Sequence, residues 1–196
     1  MRGRPRDAGV DERVLREAAL MLLAEGYGGL SCEAVAERAG VAKTTLYRRW
    51  PTKDHLAVAV VARLQDGDLI GETGDIRRDL TDYMEQIAAG LNRMRLAGRT
   101  DDDPWYPGAA AELVGASGRH RDIARLRRQV YARRNELAVG LIERAVARGD
   151  LPAGLDAHTL LEQLAGALYY RVLITGDPVD RSYAEKLVAS ALAHII

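Results

Sequence analysis

A chain of 196 residues, 47% hydrophobic and 29% charged, is long enough for one generous domain or a small one beside a medium one, and apolar enough to bury a core. Lys plus Arg and Asp plus Glu each number 28, so any nucleic-acid surface must come from local patches rather than overall charge. The single cysteine, Cys32, excludes an internal disulfide framework. The basic start Met1-Arg2-Gly3-Arg4-Pro5-Arg6 lacks the apolar run of a signal peptide, and no stretch of about 18 apolar residues follows; together these predict a cytoplasmic protein that does not enter a membrane.

Phe is absent, β-branched residues form no alternating runs, and Ala, Leu, Arg and Glu dominate, which predicts an all-α fold. A first helix spans 10–25, where Val14, Ala18 and Leu22, with Leu15 and Met21 beside them, make one apolar face. Gly26-Tyr27-Gly28-Gly29 stops it. Ser31 offers a hydroxyl cap to a short helix over 32–39, Gly40-Val41-Ala42 turns the chain, and a second short helix over 43–50 ends at Pro51. Thr52 caps a longer helix over 53–69, and Gly67, Gly71 and Gly74 mark a boundary. Helices follow over 75–97, 104–116, 119–148, 156–175 and 180–195, separated by Asp101-Asp102-Asp103-Pro104, by Gly149 and Pro152, and by Gly176 and Pro178. The predicted organisation is a helix-turn-helix domain over 1–52, a linking helix and loop over 53–74, and a helical bundle over 75–196.

The stretch from Ser31 to Lys53 carries the chemistry. Val35, Ala36, Ala39, Val41, Leu46 and Trp50 point inward, and the small Ala36 and Ala39 let two helices cross closely about the Gly40 turn, which is the pattern whose second helix enters a DNA major groove. Outward stand Lys43, Thr44, Thr45, Tyr47, Arg48 and Arg49, with no acid between Lys43 and Lys53. Lys and Arg donate to guanine edges and Thr bonds a base or touches a thymine methyl. Tyr47 and Lys53 are placed for phosphates, with Tyr47 alternatively an edge residue of the core. Ser31, at a helix N-terminus, is a second phosphate anchor. The arm carrying Arg2, Arg4 and Arg6 is either a solvated tail or a minor-groove contact. The DNA-binding candidates are therefore Arg4, Arg6, Ser31, Lys43, Thr44, Thr45, Tyr47, Arg48 and Lys53.

The run Gly40-Val41-Ala42-Lys43-Thr44-Thr45-Leu46-Tyr47-Arg48-Arg49-Trp50-Pro51-Thr52-Lys53 resembles the recognition segment of the TetR (tetracycline-repressor-like) regulators. Ala42 stands where that family usually has Ser, and Trp50 where it usually has Phe. The stretch from Leu151-Pro152 through Leu168-Tyr169-Tyr170-Arg171 to Gly176-Asp177-Pro178 is similar, more loosely, to the C-terminal domain of one branch. The resemblance implies an N-terminal three-helix helix-turn-helix domain with a C-terminal helical ligand-binding and dimerisation bundle, and a repressor released by a small-molecule effector.

In the bundle, Leu160, Leu161, Leu164, Leu168, Val172, Leu173 and Ile174 wrap most of one helix, which demands burial on more than one side. Either the monomer core takes both sides or a second copy does. The second choice makes a four-helix homodimer interface of Leu160, Leu161, Leu164 and Leu168 with Tyr183, Leu187 and Ala191 of the last helix. A two-fold dimer presents two recognition helices to half-sites about 34 Å apart, and so predicts a palindromic double-stranded operator. Candidate pocket residues for a small apolar or aromatic effector are Met84, Ile87, Leu91, Trp105, Tyr106, Leu113, Tyr131 and Tyr169, each alternatively a core residue.

Two other classes compete. Catalysis finds no support: His55, His120, His158 and His194 share no metal-ligand spacing, Cys32 has no paired base, and no phosphate-cradling loop or nucleophile elbow is present, so neither catalytic residue, metal nor cofactor is expected. An interaction protein is the alternative, binding nucleic acid or an acidic partner without sequence preference through Arg119, Arg121, Arg125, Arg127, Arg128, Arg133 and Arg134. A solvated helix face is the plainer account of that run.

Overall fold

The computed structural model describes residues 8–65, 71–98, 108–116, 121–193 and 195. Among them every regular element is helical: α1 (Ala8–Gly29), α2 (Cys32–Arg38), α3 (Lys43–Arg49), α4 (Lys53–Gln65), α5 (Ile76–Leu96), α6 (Gly108–Ala116), α7 (Arg121–Arg148), α8 (Ala157–Tyr169), continued by a π-helical turn over Tyr170–Thr175, and α9 (Arg181–Ala193). The helices group into two compact units, residues 1–64 with 96–124 and residues 65–95 with 125–196. The sequence division set apart a linking segment over 53–74. Here α4 belongs to the first unit as far as Leu64, and α6 joins it.

In the first unit, α1 buries Val14, Ala18, Met21 and Leu22, the face its periodicity announced. Its helical backbone breaks at Gly26 (φ 71°, ψ −175°) inside the glycine-rich stretch that was expected to end it. Ser31 then caps α2: its backbone is extended and its Oγ accepts from the Ala34 amide at 3.4 Å. The end of α2 is a Schellman motif. The Val41 amide donates to the Ala36 carbonyl at 2.9 Å and the Gly40 amide to the Glu37 carbonyl at 3.1 Å, with Gly40 left-handed at φ 64°. This corner turns the chain into α3, whose Leu46 and Trp50 bury against Val35, Ala36 and Ala39, while Leu56, Ala57 and Val60 of α4 complete the core. Thr52 caps α4 as the sequence suggested, its Oγ1 accepting from the His55 amide. α6 lies along α1 in the same unit.

The core of the second unit is built from one face of each helix. Leu80, Tyr83, Met84, Ile87 and Leu91 of α5 meet Ala138, Leu141, Ile142 and Ala145 of α7, and Leu160, Leu161, Leu164, Leu168 and Val172 of the α8 segment. From α9 come Ala184, Val188 and Leu192. Two polar ties fix α9. The Asn92 side chain donates to the Val179 carbonyl at 2.6 Å and accepts from its amide at 3.1 Å, and Arg181 reaches Asp82 and Glu85 of α5. No helix among the described residues is long and apolar enough to cross a membrane.

Leu160, Leu161, Leu164 and Leu168, expected at a dimer interface, are buried in the core cluster of this unit in the single chain. Leu160 and Leu164 also line a groove with Leu187 and Ala191 of α9, so the apolar face of α8 is shared between the core and that groove. Tyr183, Leu187 and Ala191 lie half-buried at the margin of the core, beside the buried stripe of α9.

The Gly40 corner yields a direct test. Nothing lies within 4 Å of where a Cβ would stand, so the penalty of Gly40→Ala is conformational rather than steric. It should lower the unfolding free energy by about 1–2 kcal/mol, the usual cost of a side chain in the left-handed region, as measured by urea denaturation.

Candidate nucleic-acid interface

The seven residues of α3 divide sharply by environment. Leu46 faces the core, Thr45 and Arg49 are half-buried, and Lys43, Thr44, Tyr47 and Arg48 are exposed. Ala42 precedes them as an extended N-cap without a side-chain bond, so the hydroxyl usual at that place has no substitute here. The predicted outward cations thus separate into two kinds. Arg49 is turned back onto α1, where it pairs with Asp11, and its side chain is only 16% exposed. Together with the bond from Arg13 Nε to the Ala39 carbonyl at 3.4 Å, this pair holds the helix-turn-helix against α1. Arg49 fixes the presentation of α3; Lys43 and Arg48 remain outward.

Tyr47 has a partner the linear sequence did not suggest. Its phenol donates to the Glu33 carboxylate of α2, fourteen positions earlier. That hydrogen bond is the largest cause pushing the Tyr47 phenol up to about 12, and it holds the Glu33 carboxyl below the ordinary glutamate range. Tyr47 is therefore a surface residue whose phenol is oriented by Glu33. Glu33 also accepts from the Ser31 hydroxyl at 3.2 Å. The same hydroxyl accepts from the Ala34 amide at 3.4 Å. Ser31 is the α2 cap.

Lys53, at the first position of α4, donates to the Gly28 carbonyl at 2.9 Å and lies 4.5 Å from the centre of the Tyr27 ring. Burial holds its ammonium below the ordinary lysine range. The Tyr27 phenol in turn donates to the buried Asp54 carboxylate, so the start of α4 is tied to the turn that follows Gly26. Cys32 is buried within α2, and burial is the main cause raising its thiol. Arg4 and Arg6 lie outside the described residues.

Among the effector candidates, Met84, Ile87 and Leu91 are closed into the core of the second unit. Tyr131 and Tyr169 are half-buried and meet edge to face, with ring centres 6.2 Å apart. Trp105 and Tyr106 lie outside the described residues, as does the side chain of Leu113. Residues 101–104, expected to open a helix, lie outside them too.

With the recognition corner in place, similarity to known proteins completes the picture. Residues 15–60 match the family model described as bacterial regulatory proteins, tetR family, and residues 70–191 match the tetracyclin repressor-like C-terminal domain. The uncharacterised helix-turn-helix regulator YdeS of Bacillus subtilis (strain 168) is 30% identical over 97% of this chain and 91% of its own length. A DNA-binding transcriptional repressor TetR of Mycobacteroides abscessus is 28% identical, covering all of this chain and 96% of its own. The crystal structure of the TetR family transcription regulator SCO0332 superposes with a TM-score of 0.75 at 33% identity, over 95% of this chain and 98% of the other. The chain belongs to the TetR family of DNA-binding transcriptional regulators, with the all-helical two-part fold of that family.

Two outcomes follow from the interface geometry. A double-mutant cycle of Asp11→Asn and Arg49→Gln should return a coupling of about 1 kcal/mol in unfolding free energy, as for a partly buried pair in contact. In Glu33→Gln the Tyr47 phenol should fall from about 12 back toward its ordinary value of 10.0, read from the tyrosinate absorbance difference against Tyr47→Phe. Because its native value is raised, the stabilisation that Glu33 lends Tyr47 is fully present below about pH 10 and fades as pH climbs through the native value.

Proposed function

We propose that this chain is a homodimeric repressor which reads a near-palindromic operator through α3 and is released by a small apolar or aromatic effector held in its second unit. The observation that carries the DNA-reading half is the outer side of α3. Lys43, Thr44, Tyr47 and Arg48 are exposed together, while Leu46 and Trp50 are buried and Arg49 is half-buried against α1. Lys43, Thr44 and Arg48 are the base-edge readers, with Thr45 beside them at the margin of the core. Lys53, close to the last turn of α1, and Tyr47, once its phenol turns from Glu33 to a phosphate oxygen, are the phosphate contacts that set register. Arg4 and Arg6 supply an N-terminal arm to the adjacent minor groove. The name of the Mycobacteroides abscessus relative favours repression over activation.

Dimerisation is supported by what α8 leaves outside. Tyr170 is 61% and Ile174 is 71% exposed, on the π-helical turn that continues the surface of Thr159, Gln163 and Gly166. Large exposed apolar side chains in succession mark an association surface. The half-buried Leu187 and Ala191 of α9 line a groove with Thr159, Leu160, Gln163 and Leu164 of α8, so both helices offer a continuous surface to a second copy. An effector favouring one packing of the second unit then changes the separation of the two α3 helices, with α4 as the link. A coupling of about 1–3 kcal/mol between effector and operator is typical of such linkage.

Selection of duplexes from a random pool by the purified protein should enrich an inverted repeat with half-sites about one helical turn apart. On the selected duplex, Arg48→Ala should lose about 1–3 kcal/mol, roughly 5- to 150-fold, with relaxed preference at the base it contacts. Lys53→Ala should weaken all duplexes alike and reduce the salt dependence by about one unit of slope. Failure to enrich any sequence over random competitor would overturn the DNA-reading assignment. Sedimentation should give a dimer, and Tyr170→Asp with Ile174→Asp a monomer; a wild-type monomer at micromolar concentration would remove the interface.

A further inference from the structure

Arg134 is one of the cations counted in the basic run of α7, where a solvated helix face was the plainer expectation. Arg125 and Arg128 are indeed exposed. Arg134 instead turns into a cluster of tyrosines within the second unit. Its Nη2 lies 3.4 Å from the Tyr169 hydroxyl oxygen, and its guanidinium carbon is 5.4 Å from the centre of the Tyr131 ring. Its backbone carbonyl accepts from the Tyr83 phenol at 3.4 Å. The Nε is fully buried and makes no hydrogen bond. Among the described residues no carboxylate pairs with it, whereas Arg144, Arg148 and Arg181 of the same unit each reach one. A guanidinium is never neutral in a protein, and burying it without a counter-charge is costly.

The tyrosines do not neutralise it. Burial, first, and the neighbouring Tyr131 drive the Tyr169 phenol well above the ordinary tyrosine range despite the adjacent cation, so it stays protonated. It is a donor beside a cation, with no negative charge of its own. The bond between Nη2 and Tyr169 is long, and Nε and Nη2 form one edge of the guanidinium, the edge that takes a carboxylate through two parallel hydrogen bonds. A second, independent irregularity stands next to it. The α-helical path of α8 gives way to a π-helical turn directly after Tyr169, and such turns are rare and concentrate at functional sites.

We infer that Arg134, with Tyr169 and Tyr131, is the head-group site for an organic acid: a small molecule with an apolar or aromatic body bearing one carboxylate. The carboxylate takes the Nε–Nη2 edge and accepts from the Tyr169 phenol, while the body lies against the Tyr131 ring. This rests on the effector reading above and narrows it, since an apolar or aromatic body alone leaves the half-buried cation unpaired.

The test uses the full-length protein and matched pairs of acid and amide, benzoate with benzamide, 2-naphthoate with 2-naphthamide and octanoate with octanamide, followed by calorimetric titration and by melting temperature. Acids should bind at least about tenfold more tightly than their amides, the preference a charge-assisted pair supplies. Arg134→Met should bring acid and amide together, while Arg134→Lys, which keeps the charge without the fork, should fall between. The unliganded Arg134→Met protein should melt no lower than wild type, since it sheds a half-buried cation whose Nε has no partner. Tyr169→Phe gives a milder second variant with a several-fold loss for acids alone. A series in which no acid binds more tightly than its amide, or an acid preference that survives both Arg134→Met and Tyr169→Phe, overturns the inference. Operator binding in the same titrations separates the two levels. Acids bound through Arg134 that leave operator affinity unchanged would sink the effector reading alone; amides that release the operator as well as the acids do would sink the organic-acid site alone.

Discussion

The crossing of α2 and α3 is the constraint on which the DNA-facing half depends, and it is set by backbone geometry before any side chain outside it matters. A chain that must leave a seven-residue helix and start another within four residues needs one residue in the left-handed region, and Gly40 supplies it with two satisfied carbonyls behind it. Once the corner is made, the direction of α3 is decided by two apolar anchors, Leu46 and Trp50, and the small Ala36 and Ala39 opposite them permit close approach. Four residues are then held outward as a group. The exposed face of α3 is thus a by-product of burying the other side of a helix too short to be stable alone.

Charge placement refines what packing begins. Along α3 the sequence offers Arg48 and Arg49 as equivalents, yet Asp11 of α1 takes one of them. The same sorting occurs in the second unit, where Arg144 and Arg148 share Glu72 and Arg181 spans Asp82 and Glu85. In each case a carboxylate distant in sequence converts an apparent surface cation into a tie between elements. Arg134 departs from this pattern because its neighbours are phenols, which provide dipoles and a π-face but no charge.

Much of the fold was legible from the chain. The apolar face of α1, the Ser31 cap, the Gly40 corner, the inward set around Leu46 and the start of α4 at Lys53 all rest on residues within a few positions of one another, where spacing and local hydrogen bonding decide. Less was legible in the second unit. An apolar α8 states that it will be buried on several sides without stating by what; in the folded unit Leu160, Leu161, Leu164 and Leu168 join the core cluster with residues of α5, α7 and α9. Tyr170 and Ile174 stay outside that core, on the π-helical turn after Tyr169, which a strict 3.6-residue period does not anticipate. Glu33 was likewise invisible as a partner of Tyr47, since fourteen residues and a turn separate them.

By itself, the order of residues determined an all-helical chain, the position of its recognition corner and the family to which it belongs, because helix periodicity, capping and the left-handed glycine are local properties that a contiguous stretch expresses wherever it is placed. Only the tertiary structure decided which cations stay outside, which leucines are spent on the monomer and where an arginine comes to rest among tyrosines. Those outcomes turn on distances between segments far apart in the chain, and a charge has no fixed role until the folded neighbours that pair with it, or fail to, are known.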